Sequence, residues 1–561
     1  MKKILTLLLA LVMTVSLFAA CGGKDTDNNG EGNGKPTLTI GIPADANVMS
    51  YDDNALTNWL EEQLDCNLEF MIYSGGSDIA TQISTTVAAR QPLPDVLWDI
   101  NFSAAIISQY GEDGYFIDLA PYFYSDVEAK TPNLEMAPNF WEKFEIWDAY
   151  YGEDFEDKMQ DEAIYRMTEE SGAIYSFPVF GFTPTDSMTY QVWINQTWLD
   201  KLGLPMPNSV DSLYETLKAF KANDCNGNGI HDEIPLYGNR LGSLGADTYS
   251  WLINMFGYWD GNTYWLDNGD GTLQNAYTAD HYREALKFIN KLYKEGLMNP
   301  LTVTGSSSEM KRLITPANGP ELVGVWVGHM TIATTMGNEA LYNYVAMPYW
   351  GTAVEKRCAV TREIFITEDC PEENRELAFK MLDLMLSDEG SLRVRYGEPG
   401  VNWQEYTGDE LSPSGKVWRW EIIEDPLNMQ TTAIWSSALT ITPCSELVNM
   451  RQPGTDWYKY KIDQVWLQYT YYQEAMERNP DRIYPGPRYT TEEDERTSQS
   501  RTNCINYATT SMTEFITGIL DPNSDAAWNA YLKKLNDLGF AEWQEVSEAS
   551  WNRLLDAGFK G

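Results

Sequence analysis

Hydrophobic positions fall into three regimes along this chain. From Ile4 to Phe18 they form an almost unbroken apolar run behind Lys2 and Lys3, closed by the small pair Ala19-Ala20. A basic start, an apolar middle and a small-residue end are the build of a secretory signal. The run of about fifteen residues is short of the roughly twenty that a membrane-spanning helix needs, so it reads as a removed signal. Gly22 to Lys35, GGKDTDNNGEGNGK, then carries no sizeable apolar side chain and predicts a flexible tether. Beyond Pro36 the apolar residues recur either with period two or at helical spacing.

Leu38, Ile40 and Ile42 alternate with Thr37, Thr39 and Gly41, which predicts a strand. A helix is expected over Asn54 to Leu64, a strand over Leu68 to Ile72, and a helix whose face is Ile79, Ile83 and Val87. Pro94-Asp95-Val96-Leu97 opens another short apolar run, and Phe116 to Tyr122 reads as a loop entering a short helix. Strands alternating with helices predict an α/β fold with a largely parallel sheet. A second α/β region begins near Met188. Tyr190, Val192 and Ile194 suit a strand, and Trp198 to Gly203 a short helix capped by glycine. Val210, Leu213, Leu217 and Phe220 form one helical face; Ala285, Phe288, Ile289, Leu292 and Tyr293 form another, closed by Gly296. Val323, Val325 and Val327 predict a buried strand that carries Trp326 into a core. Leu377 to Met385, Trp528 to Leu538 and Trp551 to Leu555 complete the helical patterns.

At 561 residues the chain exceeds what one core can organise, so at least two domains are expected. A formal net charge of −42 argues against nucleic acid or anionic lipid as a partner. Only three histidines are present, leaving little material for His-centred catalysis, whereas carboxylates are abundant enough to keep a paired-carboxylate glycosidase in view. The seven cysteines are scattered with no C-x-x-C pair, which disfavours a disulfide scaffold or a zinc site. Their pairing stays open at this level. A surplus of Trp and Tyr suits a site that grips flat apolar faces with a polar tip.

The most specific local motif is Asp224-Cys225-Asn226-Gly227-Asn228-Gly229-Ile230-His231-Asp232-Glu233. Asp224, Asn226 and Asn228 offer side-chain oxygens at positions one, three and five, Gly229 supplies the sharp turn at six, and Ile230 can offer its carbonyl at seven. This is the first half of an EF-hand calcium loop. Position twelve is Pro235, so Asp232 and Glu233 must complete the shell. Oxygen ligands of this kind suit a hard cation such as calcium, and the expected role is structural: pinning a loop between a helix and a strand. The competing reading is an Asn/Gly-rich turn with no ion.

Cys21 directly after the small pair resembles the lipobox of bacterial lipoproteins, where that cysteine becomes the lipidated first residue; Phe18 stands where the box usually has Leu. With the tether and two α/β regions, the chain resembles the extracellular solute-binding lipoproteins of bacterial ABC sugar importers (family 1), and within them the maltodextrin- and alginate-oligosaccharide-binding members. Pro94 to Trp98 is similar to the family's P-D-[IV] segment. Tyr190 to Leu204 is similar to the segment opening the second lobe, with Asn195 and Thr197 where Arg and Asp are usual. Ser387 to Gly390 and Gly397 to Trp403 resemble the late helix end and turn.

The resemblance implies a periplasmic-binding-protein-like fold of two α/β lobes joined by a hinge that the chain crosses more than once. Residues 1–21 would be the signal, 22–35 the tether, 36–182 with 351–396 lobe one, and 183–350 with 397–561 lobe two. It further implies a non-catalytic monomer, lipid-anchored on the outer face of the cytoplasmic membrane, that binds a carbohydrate between its lobes and delivers it to permease subunits. Carried over by position, Trp98 and Asp99 would reach the ligand from lobe one, Tyr249, Trp251 and Trp259 from lobe two, with His329 and Trp403 nearby. Two other readings are a surface-anchored glycosidase or lyase, and a binder of peptides or another polar solute on the same scaffold.

Overall fold

The structure is a computed structural model and describes residues 34–74, 79–142, 160, 163–169, 171–181, 188, 190–238, 248–257, 259, 265–303, 307–330, 334, 337–351, 359–426, 429–435, 449–454, 456–477 and 486–556. The signal, Cys21 and most of the tether lie outside them. No helix among the described residues is long and apolar enough to cross a membrane.

Two principal sheets are built from β1 (Thr37–Pro43), β2 (Asn67–Tyr73), β3 (Val96–Leu97), β4 (Phe177–Gly181), β5 (Val192–Asn195), β6 (Ile234–Gly238), β7 (Val323–Val327), β8 (Tyr344–Ala346) and β9 (Ala359–Ile366). The first sheet has the order β2-β1-β3-β9-β4 and the second β8-β5-β7-β6. β1 pairs in parallel with β2 and β3, while β9 is antiparallel to both β3 and β4. In the second sheet β7 is parallel to β6, and β5 is antiparallel to β7 and β8. Each sheet is therefore largely parallel with one reversed strand. That strand is the first one the chain lays down after arriving from the other sheet: β5 follows β4, and β9 follows β8.

The local reasons are those of the sequence pattern. Leu38, Ile40 and Ile42 are buried, as are Ile79, Ile83 and Val87 along one face of the helix Ile79–Ala88. The helix Ala55–Leu64 starts where the Asn54 side chain accepts the Leu56 N–H, and Gly203 ends the helix Gln196–Leu202 in the left-handed conformation. β7 is buried at every position, and Trp326 stacks on Trp193 across the antiparallel pair at 5.4 Å between centroids.

One large core joins the second sheet to the C-terminal helices Asp456–Glu477, Thr491–Thr517, Asp525–Asp537 and Phe540–Asp556. Two others sit on either side of the first sheet. The placement of residues 397–426, 429–435 and 449–451 differs from the sequence expectation. A small sheet, Trp403–Glu405, Trp420–Ile422 and Met450–Arg451, shares a core with Leu392 and Tyr396 of the helix Asp388–Tyr396, and Trp435 enters the core of the first sheet. The segment packs on the first body rather than the second because its aromatic residues find their apolar partners there. The chain returns to the second core only at Trp457. The bodies also touch directly: the Tyr165 hydroxyl donates to the Gly486 carbonyl at 3.2 Å, and the Arg488 guanidinium lies 4.0 Å over the Tyr165 ring.

Candidate functional site

In open α/β sheets, ligands bind at the carboxyl ends of parallel strands. At that edge of the first sheet β1 runs out through Pro43 into Asp45, and β3 runs out through Trp98 into Asp99. A hollow of about 230 Å³ lies there, lined by Ile42, Pro43, Ala44, Asp45, Ala46, Asp99 and Trp435. Whole-ligand pockets span roughly 300–1,000 Å³, so this hollow suits one end of a ligand.

The backbone at Asp99 is left-handed, with φ of 57°, a conformation that Asp tolerates better than most residues. The register that pairs Leu97 with Phe365 brings Glu363 of β9 opposite Asp99, and the Ile100 N–H donates to the Glu363 carbonyl at 3.0 Å. Desolvation, followed by the charges of Glu363 and Asp45, pushes the Asp99 carboxyl up to about 6. Burial raises Glu363 as well, against a hydrogen bond from Thr361. Asp45 holds its loop by accepting the Asn47 N–H at 2.8 Å. The floor is aromatic: Trp98 is fully buried and meets Trp435 edge-on at 4.9 Å, and the Trp435 indole N–H is buried without an acceptor.

Of the residues predicted to bind ligand, Asp99 lines this hollow and Trp98 supports it from beneath. Tyr249, Trp251 and Trp259 lie in the core of the second sheet, where Trp259 stacks on Tyr282 at 5.2 Å and donates to the Ser250 hydroxyl at 2.8 Å. His329 is half-buried just beyond β7. Trp403 belongs to the small core around Leu392 and donates to the Gly397 carbonyl at 2.8 Å. In this conformation Tyr249, Trp251, Trp259 and Trp403 are buried within protein cores. Trp435, Asp45 and Glu363 were not anticipated. Trp435 sits in an irregular segment with no periodicity to flag it, and Glu363 became visible only through strand register.

The second candidate feature is the loop between the helix Val210–Ala222 and β6. Asp224 accepts the N–H groups of Gly227 at 2.8 Å and Gly229 at 3.0 Å, Asn226 accepts that of Asn228 at 3.0 Å, and Asn228 accepts that of Ile230 at 2.7 Å. The side-chain amides of Asn226 and Asn228 both donate to Asp232, at 3.1 Å each. Desolvation works against ionising Asp224, yet the Gly229 and Gly227 N–H groups hold its carboxyl below the usual range. One Glu233 oxygen takes the Cys225 N–H at 2.6 Å, and the other is buried with no partner. An orphaned carboxylate oxygen in a set of oxygen donors fits a hard cation: Asp224, Asn226, Asn228, the Ile230 carbonyl, Asp232 and Glu233 would hold it. The four described cysteines, Cys66, Cys225, Cys370 and Cys504, are free and buried.

With this geometry in view, the comparisons become informative. A family model described as bacterial extracellular solute-binding protein matches residues 54–391, more than half of the chain. The chain belongs to the bacterial extracellular solute-binding proteins. This solute-binding protein is a receptor and not an enzyme. It is 24% identical over 574 residues to the fructooligosaccharide ABC transporter substrate-binding protein FusA of Streptococcus pneumoniae, covering 97% of each chain. It is 27% identical to the lipoprotein LipO of Bacillus subtilis over 52% of this chain and 50% of that one. Among solved structures, a human-milk-oligosaccharide (HMO) binding, ABC-transporter-associated solute-binding protein of Bifidobacterium longum infantis superposes with TM-score 0.73 at 21% identity, covering 93% and 99% of the two chains. An EF-hand mutant of FusA in complex with fructo-nystose superposes with TM-score 0.66 at 20% identity, covering 93% and 100%. These likenesses establish the two-body α/β fold of a periplasmic-type binding protein.

Proposed function

We propose that this solute-binding protein is the carbohydrate receptor of an ABC importer, taking an oligosaccharide between its two bodies and passing it intact to the permease. The reading rests above all on the end-to-end match with FusA, which spans both chains rather than a shared domain. The hollow at Asp99 is consistent with it. Carboxylates accept from sugar hydroxyls, an indole N–H can donate to one, and aromatic surface suits the apolar face of a pyranose or furanose. In this reading Cys21 carries lipid and the tether holds the receptor at the outer face of the cytoplasmic membrane, working as a monomer. The loop Asp224 to Glu233 binds calcium for structure alone.

Isothermal titration against a panel of fructo-oligosaccharides, milk-type oligosaccharides and maltodextrins tests the receptor reading. Saturable binding with the sugar recovered unchanged is expected. No binding to any carbohydrate, with binding to peptides instead, would overturn it. The anchor is tested by the mass of the mature N-terminal peptide: diacylglycerol on Cys21 is expected, and a free thiol there refutes it.

A further inference from the structure

We infer that the hollow at the carboxyl edge of the first sheet reads the charge of the sugar, accepting an uncharged glycosyl unit and refusing a uronate. This rests on the carbohydrate-receptor reading and goes a step further. Two acids line the hollow, Asp45 from the loop after β1 and Asp99 from the end of β3, and Glu363 of β9 stands behind Asp99 and adds its charge there. Among the described residues lining the hollow none is Lys, Arg or His. Arg362, the neighbour of Glu363 in sequence, points to the other side of its strand and is committed to Glu169.

The hydrogen-bonding ledger of the hollow is equally one-sided. Among the described residues no side-chain hydrogen bond reaches the Asp99 carboxyl. Asp45 uses Oδ1 for the Asn47 N–H. Trp435 contributes ring surface to the hollow, and its indole N–H is buried away from solvent without an acceptor among the described residues. The polar side chains that the hollow presents are therefore the carboxylate acceptors Asp45 and Asp99. A hydroxyl can donate, so a ring bearing neighbouring hydroxyls satisfies Asp99 and Asp45. A sugar carboxylate only accepts. It would leave both acids unsatisfied and would stand beside the like charges of Asp99 and Asp45. Because Asp99 is half-buried and repelled by Glu363 and Asp45, it takes up a proton in mildly acidic solution, and refusal of uronates should then weaken.

Two matched pairs differing only at C6 test this: galactotriose with trigalacturonic acid, and kestose with its C6-carboxylated form. Titration at pH 7.5 should show the uncharged member binding at least about tenfold more tightly in whichever pair binds. The gap should narrow at pH 5, and should narrow at pH 7.5 in the Asp99→Asn variant. A uronate that equals or beats its uncharged partner at pH 7.5 overturns the inference, and so does a gap unchanged by Asp99→Asn. Silence towards both pairs and the wider panel overturns the receptor reading and the inference together, whereas a uronate winning its pair leaves the receptor reading standing.

Discussion

Asp99→Asn should stabilise the protein at neutral pH, because the wild-type chain keeps a reluctant charge at the edge of its sheet. Burial and the neighbouring acids raise the Asp99 carboxyl from its ordinary 3.8 to about 6. At about 1.4 kcal/mol per pH unit this corresponds to about 3 kcal/mol of strain in the ionised state. The side chain keeps some contact with solvent, so screening reduces the expected gain to about 1–2 kcal/mol. The direction follows from proton counts. Between pH 4 and 6 the folded chain holds a proton on Asp99 that the unfolded chain has released, so stability falls as the pH rises through that window. Above pH 6 the penalty is complete, and below pH 4 it is absent. Asn carries no charge and tolerates the left-handed backbone that Asp99 adopts. Urea unfolding followed by circular dichroism, at pH 7.5 and at pH 4, provides the assay. The variant should be more stable than wild type at pH 7.5 and equal to it at pH 4. Equal stabilities at pH 7.5, or the same gain at both values, would refute the reasoning.

Calcium at about 2 mM should raise the melting temperature by about 1–7 °C over chelated protein: affinities of about 10⁻⁴–10⁻³ M, usual for extracellular sites, yield about 0.6–1.8 kcal/mol by linkage. Glu233→Gln should abolish that response in a thermal melt, and a chelator-insensitive wild type would remove the calcium assignment. Gly41→Ala should cost about 1–3 kcal/mol in urea unfolding, since a Cβ there would lie 2.7 Å from Pro94 and 2.8 Å from Tyr73. Asp383→Ala should cost about 3–5 kcal/mol by the same measurement. That buried carboxylate accepts the Phe140 N–H at 2.8 Å, the Asn139 N–H at 3.2 Å and the Asn139 amide at 2.8 Å, tying two helices of the first body together.

Local patterning carried far into this fold where one face of an element had to be apolar. The alternation of Leu38 and Ile40 with Thr37 and Thr39, and the spacing of Ile79, Ile83 and Val87, reported burial faithfully because a period of two or 3.6 is a direct image of one buried side. The helix Thr491–Thr517 was illegible for the opposite reason. It buries Cys504, Ala508, Met512 and Phe515 among many Thr and Ser, and small or polar residues leave little hydrophobic contrast for a pattern to show. The turns of the loop from Asp224 to Glu233 were legible, since they are local hydrogen bonds between near neighbours in the chain.

By itself, the sequence determined the two α/β regions, the turns of the loop from Asp224 to Glu233 and, through resemblance, the receptor family, and it set the expectation of a secretory start and a tether. Those features are encoded by neighbours in the chain. Tertiary structure alone decided that residues 397–426, 429–435 and 449–451 side with the first body, that the Trp98 ring is buried beneath the hollow, and that Asp45, Asp99 and Trp435 meet around one small space with Glu363 beside Asp99. Hundreds of residues separate Asp45 from Glu363 and Trp435. Their meeting depends on strand order and on a long-range aromatic contact, and the free energy of burying those rings leaves no trace in local periodicity.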